Sequence, residues 1–400
     1  MKYILVLGDG MADEPIESLG GMTPLQKAIT PNVDRLSKDS EIGIVKTVPD
    51  GMSPGSDTAN LSVLGYDPKK YYTGRSPLEA LSIGVPMKDT DVAIRCNIVS
   101  ITNDGGAYED QVIYDHSSSE ISTEDAKILL DAVRPYVENE EFSYYLGTSY
   151  RHCLIWDKGK VTDLMGPHNI PGKVIREFLP KEEKLRNMMK KSYEILKDHP
   201  LNKEREAQGL HPANSLWFWG AGTKPGLEAF EKMAGLKGVM VSAVDLLKGI
   251  ACGAGMKNLI VEGANGGLNT NYKGKAAAAC DALLNDGFDY AYIHVEAPDE
   301  MGHAGSLEKK ILAIENIDRD VIGEVLKRFD EAGEEFRLLF LPDHPTPIKV
   351  RTHTSTPVPY MLFDSRKKVD DKVSYCEADA HLTGRYYQSG CALIEHFLTV

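Results

Sequence analysis

The sequence is short of several things, and each shortage excludes a class of function. No apolar run approaches the length of a membrane span. No G-x-x-x-x-G-K-[ST] loop is present, which removes P-loop binding of ATP. Cysteine is scarce and scattered: Cys96, Cys153, Cys252, Cys280, Cys376 and Cys391 form no C-x-x-C pair and read as reduced, mostly buried thiols of a cytoplasmic protein. Positive charge is also short, with 45 Lys and Arg against 59 Asp and Glu and a net charge of −14. That balance argues against sequence-independent binding of nucleic acid, which needs a basic surface to displace counterions. It leaves a phosphorylated small molecule open, because a local cluster of arginines or metal ions overrides the global field. Internal repeats are absent. The opening run Met1-Lys-Tyr-Ile-Leu-Val-Leu-Gly-Asp-Gly10 meets Asp9 and Asp13 with no small-residue cleavage site, so it reads as a buried strand rather than a leader.

What is present is an ordinary globular composition, 42% hydrophobic and 26% charged over 400 residues, long enough to imply two domains. The two ends alternate strand-like and helix-like segments. Tyr3–Leu7, Asn258–Val261, Tyr290–Val295 and Arg337–Leu341 read as strands. Thr30–Leu36, Ser76–Leu81, Gly274–Asn285 and Leu307–Phe329 read as helices. This alternation predicts an α/β fold with a mostly parallel sheet sandwiched by helices. The middle differs. It holds the strand-like pieces Asp91–Ser100, Ser143–Leu146 and His152–Trp156, a helix Glu124–Val133 behind the Ser-rich turn Ser117–Ser122, and the charged helical run Lys181–Lys197. Mixed charges on a helix mark a solvated face. The expected organisation is therefore a discontinuous domain, 1–85 with 226–400, interrupted by a smaller inserted α+β domain, 86–225.

Candidate chemistry gathers at strand ends. Asp9 follows the first strand, and Asp299 and His303 follow Tyr290–Val295 at a spacing of four. Asp343 and His344 follow Arg337–Leu341, with His353 a short way downstream. Ligand sites of open parallel sheets lie beyond the carboxyl ends of the strands, so these segments can converge on one crevice. Each alone has an ordinary reading as a helix cap, a solvent-facing pair or a turn residue. Together, three aspartates and three histidines suit two divalent metals with mixed oxygen and nitrogen donors. Ser56, in Pro54-Gly-Ser-Asp-Thr-Ala-Asn60, stands at an expected helix start. By itself it reads as a cap; beside six prospective ligands it becomes the hydroxyl to activate, and capping passes to Asp57 or Thr58.

The order Asp9, Ser56, Asp299-x-x-x-His303, Asp343-His344, His353-Thr-x-x-Pro-Val-Pro resembles the alkaline phosphatase superfamily. Across essentially the whole chain the resemblance is to the cofactor-independent phosphoglycerate mutases of the shorter archaeal-type branch. Pro54–Asn60, Gly263-Ala-Asn-Gly-Gly-Leu-Asn-Thr-Asn-Tyr272 and Arg95-Cys-Asn97 also carry it. The resemblance implies an alkaline-phosphatase-like body with an insert that closes over the site. It implies Ser56 as the nucleophile that is phosphorylated, one metal held by Asp9, Ser56, Asp343 and His344, and another held by Asp299, His303 and His353. Manganese is the family's usual metal, with zinc or magnesium as alternatives, and no bisphosphoglycerate is required. The implied reaction interconverts 3-phosphoglycerate and 2-phosphoglycerate.

A substrate bearing phosphate and carboxylate needs cationic anchors. Arg75, Arg95 with Asn97, and Arg151 with His152 are the candidates, Arg205 is a weaker one, and His168 reads equally as a turn residue. The family stretch corresponding to Pro212–Gly222 carries an arginine immediately before Gly-Ala-Gly, where this chain has Trp219. That departure keeps two alternatives in play: a homoserine-kinase-like phosphotransferase of the same branch, and a metal-dependent phosphohydrolase. A binding protein without catalysis fits less well, since a degenerate relative would have lost a ligand. The sequence does not set an oligomeric state.

Overall fold

The apolar run at the head of the chain forms a strand in which every residue from Ile4 to Gly8 is buried. A strand covered on both faces reads as continuous apolar sequence rather than as alternation. In the computed structural model, which describes residues 1–369 and 373–399, it is the first of fourteen strands. In chain order these are β1 (Lys2–Gly8), β2 (Glu41–Val45), β3 (Val92–Ile101), β4 (Val112–Asp115), β5 (Phe142–Thr148), β6 (Arg151–Trp156) and β7 (Lys173–Val174). Then follow β8 (Ser215–Thr223), β9 (Gly238–Val241), β10 (Lys257–Asn258), β11 (Tyr290–Val295), β12 (Phe336–Leu341), β13 (Val358–Asp364) and β14 (Tyr386–Tyr387). The chain divides into two units, Met1–Tyr72 with Gly226–Val400, and Thr73–Pro225. Helix Arg75–Ser82, which the sequence reading placed with the flanking domain, packs on β3 and β8 and so goes with the second unit.

The first unit is an eight-stranded sheet in the order β10-β9-β11-β1-β12-β13-β2-β14. The five strands from β10 to β12 run parallel, and β13 is antiparallel to both of its neighbours. Leu7 of β1 pairs with His294 of β11 on one side and Leu341 of β12 on the other. The segments leaving β1, β11 and β12 therefore emerge side by side at one sheet edge. Ile4, Val6, Ile293, Val295, Leu338 and Phe340 share a core with the buried faces of helices Tyr272–Leu284 and Leu307–Asn316. The helical run expected over 307–329 is continuous but not uniform: a π-helical stretch, Ile317–Ile322, separates Leu307–Asn316 from Gly323–Ala332. Asp318 in that stretch accepts the N–H groups of Asn32 (3.3 Å) and Val33 (2.7 Å), so it caps helix Pro31–Ser37, whose own Thr30 makes no side-chain cap. The strand expected at Asn258–Val261 is only Lys257–Asn258. Beyond it Leu259 and Val261 pack against the core from irregular chain at the sheet edge.

The second unit is built on an antiparallel sheet, β5-β6-β3-β4-β7, with β8 paired to the other side of β3. Helix Thr123–Val137 starts at Ser122, whose hydroxyl accepts the Asp125 N–H at 3.0 Å. The charged run forms helix Glu183–Leu196, which buries Leu185, Met188, Met189, Tyr193 and Leu196 and turns its charges outward. Among the described residues, no helix is long and apolar enough to cross a membrane.

Candidate active site

Helix Ser56–Val63 begins with Ser56 as its first residue, behind Gly55, and no side chain caps it from the Gly55 position. Asp57 takes the Thr58 N–H at 2.9 Å, and the Thr58 hydroxyl donates to the carbonyls of Ser53 and Gly55. Ser56 Oγ is thereby spared from capping. It lies 3.2 Å from His344 Nε2 and 3.4 Å from Asp9 Oδ2.

Two groups of side chains able to hold a metal ion surround that hydroxyl. Asp9, Asp343 and His344 each offer an atom within 4.8 Å of the others, and all three are buried. Asp343 is oriented by the N–H groups of Gly10 (3.1 Å) and His344 (2.8 Å) on Oδ1 and by Asn60 Nδ2 (2.8 Å) on Oδ2. Asp299, His344 and His353 form the second group, and the His344 and His353 rings lie 4.0 Å apart. His303 joins it, with Nε2 3.2 Å from Asp299 Oδ2 and 2.9 Å from His353 Nε2. The Arg351 carbonyl, 3.0 Å from His303 Nδ1, places the ring proton there and leaves Nε2 turned toward the group. Thr346 Oγ1 donates to Asp299 Oδ1.

The electrostatics are those of a site that wants cations. Burial pushes the Asp9 carboxyl well above its ordinary range, and the charges of Asp343, Asp299 and Glu296 push it the same way. Asp9 Oδ1 is buried with no hydrogen-bond partner, while its Oδ2 faces His294 Nε2 at 2.9 Å. A buried carboxylate oxygen without a donor costs free energy unless a cation meets it. Asp299 runs the other way: burial raises its pKa, but the bonds from His303 and His353 outweigh burial and hold it below the usual range. The same pairing with Asp299 lifts His303 to about 9. Burial pushes His344 down, so its imidazole is held neutral. Carboxylates, the neutral His344 imidazole, an unpartnered oxygen and the ring nitrogens of His303 and His353 together form a donor set that fits divalent metals.

Three residues at this site, His294, Asn60 and Thr346, have no role in the sequence reading. His294 braces Asp9, and its Nδ1 sits 3.3 Å from Ser242 Oγ. Asn60 bridges Asp343 to the Ser56 carbonyl (2.8 Å) and accepts the Tyr292 hydroxyl. Thr346 holds Asp299. The signals were modest but visible: a histidine inside the apolar strand Tyr290–Val295, and an asparagine one helical turn after Ser56.

The anchor candidates all lie in the second unit. Arg95, on β3, is paired across the sheet with Trp219 of β8. Its guanidinium lies 4.0 Å from the Trp219 ring centre, and its Nε meets Glu79 at 2.8 Å. Glu79 also pairs with Arg75 at 2.9 Å. Burial lowers Arg95 to about 10 even though Glu79 opposes the shift, and the charges of Arg75 and Arg151 lower it further. Asn97 is tied at both ends, its Oδ1 accepting Trp219 Nε1 (2.9 Å) and its Nδ2 donating to the His116 carbonyl (3.1 Å). Arg151 is exposed on β6, whereas its neighbour His152 is buried, accepts the Gly147 N–H on Nδ1 at 3.1 Å and is lowered by burial to about 3. His152 therefore supplies no positive charge. Arg205 is spent internally on Asp125, Ser118 and His211. His168 packs edge-on against Trp219 with ring centres 4.9 Å apart.

Residues 37–202 match the family described as 2,3-bisphosphoglycerate-independent phosphoglycerate mutase. The chain is 45% identical over 403 residues, 100% of both chains, to a probable 2,3-bisphosphoglycerate-independent phosphoglycerate mutase of Geobacter sulfurreducens. It is 45% identical over 389 residues, 96% of each chain, to the 2,3-bisphosphoglycerate-independent phosphoglycerate mutase of Methanosarcina barkeri. In three dimensions it is similar to a protein of Pyrococcus horikoshii, with TM-score 0.83, 30% identity and coverage of 99% and 96%. The cofactor-independent phosphoglycerate mutase of Thermoplasma acidophilum matches with TM-score 0.66, 27% identity and coverage of 100% and 99%.

Proposed function

The chain belongs to the family of 2,3-bisphosphoglycerate-independent phosphoglycerate mutases, and on that premise we propose that it interconverts 3-phosphoglycerate and 2-phosphoglycerate through a phosphoserine at Ser56. The observation that carries the phosphoserine reading is the placement of Ser56 Oγ, free of capping, 3.2 Å from His344 Nε2 and 3.4 Å from Asp9 Oδ2. Two divalent ions, manganese for preference and zinc or magnesium on the same donors, one on Asp9, Ser56, Asp343 and His344 and the other on Asp299, His303 and His353, would lower the pKa of the Ser56 hydroxyl and neutralise charge on the phosphoryl oxygens. No bisphosphoglycerate enters the cycle.

Ser56 Oγ attacks phosphorus and loses its proton, the bond from phosphorus to the glycerate oxygen breaks, and that departing oxygen takes up a proton. The other hydroxyl of the glycerate then attacks phosphorus and loses its proton, the serine ester bond breaks, and Ser56 Oγ takes up a proton, so the cycle closes with no net change in protons. As the first residue of its helix, Ser56 holds the phosphoryl group where unpaired backbone N–H groups and the helix dipole favour negative charge. Arg75, Arg95 and Arg151 supply the cations that a carboxylate and a phosphate call for, with Asn97 fixing the Arg95 neighbourhood through Trp219.

The test is incubation of manganese-loaded protein with 3-phosphoglycerate alone, followed by phosphorus NMR. The expected product is 2-phosphoglycerate. Inorganic phosphate as the sole product makes the chain a phosphohydrolase, and no turnover coupled with ATP-dependent phosphorylation of homoserine makes it a kinase; either result overturns the proposal.

A further inference from the structure

We infer that Lys310 is a positioning residue for the ligand cluster: its buried ammonium ties the loop after β1 to the loop after β12 and thereby sets the spacing of the two ligand groups. The inference rests on the metal reading above. Lys310 lies on helix Leu307–Asn316, which follows the ligand-bearing helix Ala297–His303. Its side chain is 0% exposed, yet all three ammonium hydrogens have oxygen partners: the Ala12 carbonyl at 3.2 Å, the Thr346 carbonyl at 2.9 Å and Asp13 Oδ2 at 2.8 Å.

The three partners are not interchangeable parts of a core. Ala12 is three residues from Asp9, and Thr346 is two residues from His344. Thr346 is itself bonded through Oγ1 to Asp299, a member of the other ligand group. Asp13 extends the tie: its carboxylate accepts the Ile348 N–H at 3.1 Å, and its own N–H donates to Glu377 Oε1 at 3.1 Å. Glu377 is held in turn by the Thr23 hydroxyl at 2.7 Å. One ammonium thus joins the loop bearing Asp9, the loop bearing His344 and the helix that continues from Asp299 and His303.

Stability alone is a poor reason for such a group. Taking an ammonium and a carboxylate out of water costs about what their attraction returns, and apolar replacement of a buried pair is often neutral. A buried charge with three fixed acceptors does supply something an apolar side chain cannot, namely directional links between backbone segments. A shift of Thr346 on loss of Lys310 would carry Asp299 with it, while His344 moves with the same loop.

The test compares the full-length chain with Lys310→Met, and with Lys310→Met/Asp13→Asn, which removes both charges and guards against misfolding from an unpaired Asp13. Manganese affinity and stoichiometry are read by calorimetry, and the paired-ion signature by electron paramagnetic resonance. The expected result in a folded variant is manganese binding weakened roughly tenfold or more, with an altered paired-ion spectrum, a change that lowered fold stability by itself does not produce. Wild-type affinity and an unchanged spectrum in a folded variant overturn the inference. The native chain offers a reading that needs no variant: manganese should slow hydrogen exchange at the Asp13 and Ile348 amides, and exchange there indifferent to manganese also overturns it. A native chain that binds no pair of manganese ions overturns the metal reading and this inference with it, and that failure shows before any substitution is made.

Discussion

Replacing Asn60 by leucine removes three contacts from the interior of the first unit with little change in side-chain volume. Asn60 is 0% exposed; its Nδ2 donates to Asp343 Oδ2 and to the Ser56 carbonyl, each at 2.8 Å, and its Oδ1 accepts the Tyr292 hydroxyl. A hydrogen bond to an ionised group contributes about 1.5–3 kcal/mol, and a buried hydroxyl left without a partner costs about 1–3 kcal/mol. Asp343 keeps the N–H groups of Gly10 and His344 on its other oxygen, which moves the first figure toward its lower end. The Asn60→Leu chain should therefore lose about 3–4 kcal/mol of stability. Tyr292 cannot relieve itself by ionising, because burial pushes its pKa well above the ordinary value, as do the charges of Tyr290, Asp343 and Asp9. Denaturant unfolding in EDTA reads this loss without contributions from bound metal. Asn60→Leu/Tyr292→Phe should recover about 1–2 kcal/mol, since the stranded hydroxyl is gone. A single-variant loss under about 1 kcal/mol, or no recovery in the double variant, refutes the assignment of Asn60 as the link between Ser56, Asp343 and Tyr292.

Gly10→Ala should abolish manganese binding at the Asp299 group, because a β-carbon at this position of φ +59° would meet Asp299 Oδ1 at 2.5 Å and Thr346 Oγ1 at 2.6 Å; calorimetry showing two undisturbed ions contradicts this. Metal loading at pH 7.5 should release at least one proton per chain, since His303 with a pKa raised to about 9 by Asp299 must give up its proton to bind. Manganese affinity should accordingly climb with pH and level off above about 9, and binding without proton release refutes the pairing. For the metal-free chain the sign is opposite: the raised His303 stabilises the fold fully below its ordinary value of 6.5, and that stabilisation is lost as pH rises through about 9. Trp219→Leu removes both the face under Arg95 and the donor to Asn97, so KM for phosphoglycerate should rise roughly tenfold with manganese affinity unchanged, and Trp219→Phe should restore part of it. An unchanged KM in the leucine variant contradicts the anchoring role of Arg95.

The segments that carry the candidate ligands were legible where local pattern and long-range geometry coincide. Asp9, Asp343 and His344 follow apolar strands, and parallel pairing of β1 with β11 and β12 brings those strand ends level without any further information. Asp299 and His303 share a helix face by their spacing alone. Less could be read where the partner is distant in sequence. Asn60 earns its place from Asp343 and Tyr292, more than two hundred residues away. His294 sits in a run whose composition says only buried strand, and nothing local announces that it faces Asp9. The helix read over Thr30–Leu36 starts at Pro31, and its first N–H groups are met by Asp318 from across the fold, a partner that nothing local announces. The edge strand at Lys257–Asn258 came out shorter than its apolar run: Leu259 still donates its N–H to the Met240 carbonyl at 2.8 Å, but the chain then leaves the ladder, and Leu259 and Val261 pack partly buried against the core. Ser56 shows the limit from the other side. Its segment reads as a cap until the cluster around Asp9 and His344 is assembled.

The central claim is that Ser56 carries the phosphoryl group between two positions of one glycerate. The most direct measurement is rapid quenching of the manganese-loaded chain during turnover of 3-phosphoglycerate labelled in its phosphate, followed by peptide mass spectrometry. Label is expected on the peptide Pro54–Asn60, at Ser56, in amounts that fall to zero in Ser56→Ala together with formation of 2-phosphoglycerate. Label on another residue, or 2-phosphoglycerate formed at the native rate by Ser56→Ala, would contradict the claim.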